Sequence, residues 1–330
     1  MSDALVDGFG RVHTDLRVSL TDRCNLRCSY CMPAEGLDWL PKPELLTDDE
    51  IVRVVGIAVR DLGIRQVRLT GGEPLLRRGL LGVVSRLADL RPRPSLSMTT
   101  NGIGLARLVE DLAAAGLDRV NVSLDTLQRS TFVALARRDR LDEVLAGLDA
   151  ARAVGLSPVK VNSVLMRGIN DHEALDLLHY CLDHGLRLRF IEQMPLDAQH
   201  GWDRHVMVTA EEIFEHLSAE HRLTPVDGRG SSPAEDFLLD DGPETVGIIA
   251  SVTRPFCGSC DRVRLTADGQ IRNCLFAREE SDVRAALRDG ADDDEIARRI
   301  RVSIAGKRAG HGIDDPTFLQ PDRPMSAIGG

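Results

Sequence analysis

The sequence predicts an α/β protein: an incomplete, TIM-like barrel of six βα units, with a C-terminal segment that closes it. Three observations predict this class. A strand-then-helix rhythm repeats from residue 15 to about residue 220. Inside the strands, apolar and polar residues alternate instead of running apolar throughout. A stretch rich in Pro, Gly, Ser and acids, from about 225 to 245, then separates that rhythm from a hairpin-like region. The expected division is a partial barrel over 1–225 and a C-terminal segment over 226–330.

The expected strands are Leu16–Leu20, Gln66–Thr70, Leu96–Thr100, Arg119–Asp125, Pro158–Leu165 and Leu186–Glu192. A capping box, Thr47 with Glu50 three residues on, announces the first helix, whose apolar run reaches Leu62. Further helical patterns lie near 78–90, 104–115, 142–154 and 171–184, with Gly116, Gly155 and Gly185 as stops. Consecutive βα units imply parallel strands joined by right-handed crossovers. Beyond the linker, ETVGIIASVT reads as a strand. Arg262–Thr266 and Gln270–Asn273 read as a hairpin about Gly269, and 282–304 as helical before a Pro-rich tail.

On rhythm alone, an open doubly wound sheet and a barrel both fit. Alternation separates them. Leu16, Val18 and Leu20 interleave with Arg17 and Ser19; Val67 and Leu69 with Arg68 and Thr70. Val120, Val122 and Leu124 interleave with Asn121, Ser123 and Asp125, while Lys160 and Arg189 sit between apolar neighbours. A doubly wound sheet is covered on both faces and would give continuously apolar strands. In a barrel the apolar set packs on the outer helices, so Arg17, Arg68, Ser123, Lys160 and Arg189 should point inward. A closed eight-stranded barrel fills its lumen with branched aliphatics; this lumen reads as polar and cationic. The expectation is a wider, incomplete barrel around a cavity for an anionic ligand. A solvated sheet face is the plainer alternative.

The chain has 330 residues, 43% hydrophobic and 28% charged, which is ample for a sizeable core. At 4% aromatics, that core must rest on Leu, Val, Ile and Ala. A net charge of −10 argues against nucleic acid or an anionic membrane as a partner recognised by bulk charge. No run approaches a membrane span, and the start MSDALVDGFGRVHTD lacks the order of a signal peptide, so a cytoplasmic location is expected. An odd set of seven cysteines in a long chain disfavours a disulfide scaffold. Cys24, Cys28 and Cys31 cluster near one end, Cys257, Cys260 and Cys274 near the other, and Cys181 stands alone. That division asks for two metal sites.

The first trio has C-x3-C-x2-C spacing just after the first strand, at the active-site end of a barrel. Three cysteines on a [4Fe–4S] cluster leave one iron open to a substrate or cofactor. Structural zinc is the alternative; it needs a fourth ligand, and only His13 is near in sequence. The second trio has C-x2-C-x13-C spacing, and zinc completed by a distant His or Asp is its alternative. Arg262 and Arg264 alternate on a strand beside it, so both face one side. Guanidinium forks in such a place favour phosphate oxygens.

The first trio, Tyr30 beside its last cysteine, and Gly71-Gly72-Glu73-Pro74 after the second strand resemble the radical S-adenosylmethionine (SAM) superfamily. Glycines in that turn allow close backbone approach, and the proline stiffens it. Over residues 16–330 the chain is similar to the GTP 3′,8-cyclase family of molybdenum-cofactor biosynthesis, the MoaA family. The stretches carrying this are LRVSLTDRCNLRCSYCMP, VRLTGGEPLLR, TTNG, VNVSLD, VKVNSVLMRGIN, FCGSCDRVRLTADG and the ending MSAIGG.

The resemblance implies a radical SAM barrel with two [4Fe–4S] clusters, one on Cys24, Cys28 and Cys31 and one on Cys257, Cys260 and Cys274. It implies SAM as cofactor, met by Tyr30, Gly72, Ser123 and Met194, and GTP as substrate, met by Arg17, Arg68, Thr99, Lys160, Arg262 and Arg264. The first cluster would give SAM one electron, releasing methionine and a 5′-deoxyadenosyl radical. That radical would take hydrogen from C3′ of GTP, and the C3′ radical would attack C8 of guanine. Reduction would then give 3′,8-cyclo-7,8-dihydro-GTP, in the first step of molybdopterin synthesis. Catalytic roles fall on Arg17, Arg262, Arg264, Gly329 and Gly330; the two-glycine tail is expected to enter the lumen and offer its carboxylate to Arg17 or a neighbour. Implied partners are a flavodoxin-like electron donor, a downstream cyclic pyranopterin monophosphate synthase, and a second copy in a homodimer. Two readings compete. A radical SAM enzyme that modifies peptides would carry more C-terminal cysteines and a peptide-recognition module. A metal-binding scaffold without catalysis would have no use for Gly-Gly-Glu-Pro or for inward cations.

Overall fold

The structure, a computed structural model, describes residues 4–329. It opens with β1 (Asp15–Ser19), α1 (Asp48–Asp61), β2 (Gln66–Thr70), α2 (Leu80–Ala88), β3 (Ser95–Thr100), α3 (Leu105–Ala114) and β4 (Arg119–Ser123). Two helices follow, α4 (Arg129–Ala136) and α5 (Leu141–Ala153), then β5 (Lys160–Val164), α6 (Ala174–Asp183), β6 (Arg187–Ile191) and α7 (Ala210–Ser218). The later strands are β7 (Leu223–Pro225), β8 (Glu235–Leu239), β9 (Thr245–Ile249), β10 (Arg262–Leu265), β11 (Gln270–Arg272) and β12 (Ser281–Asp282). Helices α8 (Val283–Arg288), α9 (Asp293–Ala305) and α10 (Met325–Ile328) complete the chain. None of these helices is long and apolar enough to cross a membrane.

The strands form one sheet in the order β12-β11-β10-β1-β2-β3-β4-β5-β6-β9-β8-β7. The run from β10 through β1–β6 to β9 is parallel, and the outer pairings are antiparallel hairpins. Strands from the C-terminal region therefore pair with both edges of the six-strand unit, β10 beside β1 and β9 beside β6. The hairpin expected at 262–273 is present, but its first strand also pairs in parallel with β1, which local pattern could not reveal.

Local chemistry explains most element ends. Thr47 and Glu50 form the expected capping box on α1, and an unexpected second box, Thr209 with Glu212, starts α7. β5 begins at Lys160 rather than Pro158, because proline offers no N–H to a ladder. The expected helix over 282–304 is two helices, broken where Gly290 turns at φ +83°. The short α4 was not expected from sequence; it ends where Arg137 takes φ +55°.

One face of the parallel strands builds the core. Leu16, Val18, Val67, Leu69, Val120, Val122 and Leu188 are at most 2% exposed and pack with Ile51, Val54, Val83, Leu112, Val144 and Leu177 of the helices. Burying each such side chain contributes about 1.5–3 kcal/mol. The register then fixes the opposite face: Arg17 stands beside Arg264 on one side and Arg68 on the other, and Asn162 beside Arg189. The first cysteine trio, Gly71-Gly72-Glu73-Pro74 and the Thr-Thr-Asn-Gly turn leave the C-terminal ends of β1, β2 and β3, the end where barrels place their chemistry, whereas Cys257 and Cys260 precede β10 and so lie toward the N-terminal end of β1.

Candidate active site in the barrel lumen

Cys24, Cys28 and Cys31 lie on the loop after β1, half-buried and not in disulfides. They line one cavity of about 230 Å3 with Tyr30, Gly72, Thr99, Ser123 and Met194. The loop is held from below by α4: the N–H groups of Ser29 and Arg27 donate to the carbonyls of Leu135 and Ala136 at 2.9 and 3.0 Å. These bonds satisfy carbonyls that a helix end leaves without partners. Gly71 and Gly72 press against the same loop, since a Cβ on either would lie 2.3–2.4 Å from the carbonyl oxygens of Thr21, Asp22 or Arg23.

Glu73, fully buried, joins this turn to the next strand. Its carboxylate accepts from the N–H of Leu75 at 3.0 Å, Thr100 Oγ1 at 2.7 Å and the N–H of Asn101 at 2.7 Å. Burial pushes its carboxyl up to about 7 against the pull of those hydrogen bonds. Asn101 Nδ2 in turn reaches Asn25 Oδ1 at 2.7 Å and Cys24 Sγ at 3.8 Å. Across the cavity Tyr30 donates its hydroxyl to Asp125 Oδ2 at 2.7 Å, while the N–H of Val164 donates to Asp125 Oδ1 at 2.9 Å. Burial pushes Asp125 up to about 6.

The lumen face is cationic, as the alternation implied. Arg17, Arg189, Arg262 and Arg264 are all buried, with Arg68 and Lys160 half-buried near them. Asp15 is the carboxylate closest to the first of these, 3.8 Å from Arg17 and 3.9 Å from Arg262. Burial opposes its ionisation, yet Arg17, Arg68, Arg262 and Arg264 hold it below the usual carboxylate range. Burial, and then the repulsion of Arg17, pulls Arg68 and Arg264 well below the ordinary guanidinium value; Arg189 and Arg262 fall to about 10. Among the described residues, the buried Nε atoms of Arg17, Arg68 and Arg262 have no hydrogen-bond partner. A field of buried cations with orphaned donors calls for an anion.

Cys257, Cys260 and Cys274 line a second cavity with Arg262, Arg264 and Met194, so Met194 stands between the two trios. Two cations brace this loop. Lys307 is buried and donates Nζ to the Arg262 carbonyl at 2.9 Å and to Cys260 Sγ at 3.5 Å. Arg11 pairs with Asp7 and donates to the Cys257 carbonyl at 2.6 Å. The chain end reaches the lumen as well: Arg264 donates to the carbonyl of Gly329, which sits against Ser19 and Thr70. Gly330 lies outside the described residues, so the expected carboxylate contact does too.

The structure thus gathers Tyr30, Gly72, Thr99, Ser123 and Met194 around the first trio and places Arg262 and Arg264 on the second cavity, with Arg17 and then Arg68 following Arg264 in strand register. Lys160 lies further along the same sheet, paired in register with Asn121 and Arg187 and close enough to Arg189 to feel its charge. Sequence reasoning missed Asp15, Glu73, Asn101, Lys307 and Arg11 as site supports. Asp15 had a signal, sharing the alternation of Arg17, and Glu73 and Asn101 stood inside the Gly-Gly-Glu-Pro and Thr-Thr-Asn-Gly stretches; Lys307 and Arg11 act across long sequence separations that local pattern cannot report.

Residues 18–181 match the model of the radical SAM superfamily, and residues 186–313 match that described as molybdenum cofactor synthesis C. A GTP 3′,8-cyclase of Streptomyces coelicolor is 67% identical over 328 residues, covering 99% of this chain and 96% of its own. The GTP 3′,8-cyclase 2 of Mycobacterium tuberculosis is 59% identical over 331 residues, covering 99% of this chain and 92% of its own. The crystal structure of Streptococcus suis SuiB bound to precursor peptide SuiA aligns over 90% of this chain and 67% of that one, with a TM-score of 0.60 and 13% identity, a likeness of fold alone. With relatives this similar along its whole length, the chain belongs to the GTP 3′,8-cyclase family of radical SAM enzymes.

Proposed function

We propose that this chain converts GTP to 3′,8-cyclo-7,8-dihydro-GTP, the first step of molybdenum-cofactor synthesis. The observation that carries the substrate is the set of lumen arginines Arg17, Arg68 and Arg262, whose buried Nε atoms have no hydrogen-bond partner among the described residues, with Asp15 paired to two of them at 3.8 and 3.9 Å. A triphosphate matches that need in charge and in acceptor geometry.

In this reading Cys24, Cys28 and Cys31 would hold one [4Fe–4S] cluster and Cys257, Cys260 and Cys274 a second. The residues fit. Each trio of thiols, free of disulfides, lines one cavity. A cubane takes three cysteines on three of its irons and leaves the fourth open. When bound, the first cluster supplies the electron that cleaves SAM, and the resulting 5′-deoxyadenosyl radical begins the reaction at C3′ of GTP.

The protein's own task is position, charge and dryness. Tyr30, Gly72, Ser123 and Met194 would meet SAM, with Asp125 fixing the Tyr30 ring. Arg17, Arg68, Arg262 and Arg264 would take the triphosphate, Asp15 keeping Arg17 and Arg262 in place before it arrives. Lys160 and Thr99 would complete the GTP contacts. Gly329 would finish the lumen wall beside Arg264. The reading keeps the division into a 1–225 barrel and a 226–330 segment that carries the second cluster and closes the barrel. It also includes a cytoplasmic setting, a flavodoxin-like reductant, a downstream cyclic pyranopterin monophosphate synthase, and pairing of two copies.

The test is anaerobic. Purified protein should carry about eight irons, from two cubanes. It should cleave SAM and give the cyclised nucleotide only with GTP present. Stoichiometric zinc in place of the second cluster, or SAM cleavage that never yields that product, would overturn the reading.

A further inference from the structure

A chain end is ordinarily loose, yet from Gln320 to Gly329 this one is fastened at several points. Gln320 Nε2 donates to the Asp197 carbonyl at 2.6 Å. Arg323 forks onto both carboxylate oxygens of Asp268 at 3.0 and 2.8 Å and reaches Glu280 at 2.8 Å. The N–H of Met325 donates to the Leu196 carbonyl at 2.9 Å. Asp268 belongs to the β10–β11 turn, so one hairpin holds the tail twice: Asp268 grips Arg323, and Arg264 grips Gly329. A bidentate guanidinium–carboxylate pair fixes direction as well as distance, which gives α10 a defined seat.

The seat sets Ser326 against the first cysteine trio. With Met325 it lines the cavity that holds Cys31, Tyr30 and Met194, and its backbone N–H points at Cys31. The residue is 4% exposed, and among the described residues its Oγ has no hydrogen-bond partner. A serine hydroxyl can donate one hydrogen bond and accept two. Burying it with none is costly, and alanine would suit a helix better. The fastening of the tail does not explain the oxygen either, because Gln320, Arg323, Met325 and Gly329 supply those contacts.

We infer that Ser326 Oγ is a SAM contact, delivered to the cofactor's cavity by the far end of the chain; this rests on the function proposed above. The cavity already gathers Tyr30, Gly72, Ser123 and Met194, the residues that SAM would meet, and Ser326 adds a hydroxyl on the Cys31 side. SAM carries an ammonium, a carboxylate, ribose hydroxyls and a purine edge. A hydroxyl that can both donate and accept finds a partner among them. Ser326 makes and breaks no covalent bond; it binds and orients. Because it sits on the tail, SAM and the seated tail stabilise each other by the same factor.

The test uses the full chain with its clusters reconstituted anaerobically, and it reads binding. Ser326→Ala should weaken SAM by about two- to tenfold in calorimetry, the effect of losing one neutral hydrogen bond. GTP affinity and iron content should match the parent. Without SAM, the variant should melt at or above the parent's temperature, because it loses a buried hydroxyl that has no partner. A packing role predicts the reverse: lower melting, with SAM and GTP affected alike. That pattern, or SAM affinity equal to the parent's, would overturn the assignment. If the parent itself binds no SAM, the proposed function fails, and the Ser326 contact with it.

Discussion

Arg264 donates from β10 to the carbonyl of Gly329, so a strand beside the second cysteine trio grips a chain end lying against the first. The grip depends on the absence of a side chain. Gly329 sits at φ +75°, and a Cβ there would meet Ser19 Oγ at 2.5 Å and Thr70 Cγ2 at 2.6 Å. Gly329→Ala, or deletion of Gly329 and Gly330, should abolish GTP cyclisation. Iron content should hold, and thermal stability should stay within about 3 °C, because the contact is remote from the core. Full cyclase activity in the truncated protein would show the tail to be dispensable.

Charge in the lumen should govern GTP far more than SAM. Loss of one charge-assisted phosphate contact costs about 1.5–3 kcal/mol, or roughly 10- to 150-fold in affinity. Arg17→Ala, Arg262→Ala and Arg264→Ala should each weaken GTP by this much in anaerobic calorimetry, and guanosine should be a poor substrate. Arg264→Ala should lose more activity than affinity, because it also releases Gly329. Normal GTP binding in all three variants would contradict the lumen assignment.

Lys307 offers a readout independent of turnover. Its ammonium touches Cys260 Sγ, and positive charge or hydrogen bonds at a cluster's sulfurs raise its reduction potential. Lys307→Met should lower the potential of the second cluster and shift its electron paramagnetic resonance signal, leaving the first cluster's signal and uncoupled SAM cleavage in place. Lys307→Arg should recover part of the difference. An unchanged second signal would mean that Lys307 only packs.

Lys160 sets a pH limit. Burial, and then Arg189, pulls its ammonium down to about 8. The charge is present below that value and lost above it, so a phosphate contact relying on it weakens as pH rises through about 8. In the free protein the sign for folding is opposite: the folded state binds fewer protons than the unfolded chain above about 8, so this group's contribution to stability grows with pH there. GTP affinity should fall between about pH 7 and 9, and Lys160→Arg, charged throughout, should flatten the curve. A parent whose affinity does not change over that range would remove Lys160 from the phosphate site.

The fold was legible where physics is local. Alternation in β1, β2 and β5 told which face would meet the helices, and it placed Arg17, Arg68 and Lys160 opposite that face before any pairing was known. The cysteine trios were legible because their spacing is itself the chemistry. Pairing partners were not. Nothing local says that Arg262–Leu265 lies parallel to β1, or that Tyr30 finds Asp125, ninety-five residues away. The missed α4 shows the same limit: its weak pattern hides a helix whose end exists to receive the N–H groups of Ser29 and Arg27.

The order of strands has a consequence for how the chain is born. β1 and β6 keep bare edges until β9 and β10 exist, and these come only after residue 244. During synthesis six parallel strands wait with two open ladders, the kind of edge that recruits other chains. A fragment cut at residue 225 should therefore aggregate rather than behave as a free-standing barrel. The last third of the sequence is what makes the first two-thirds safe to fold.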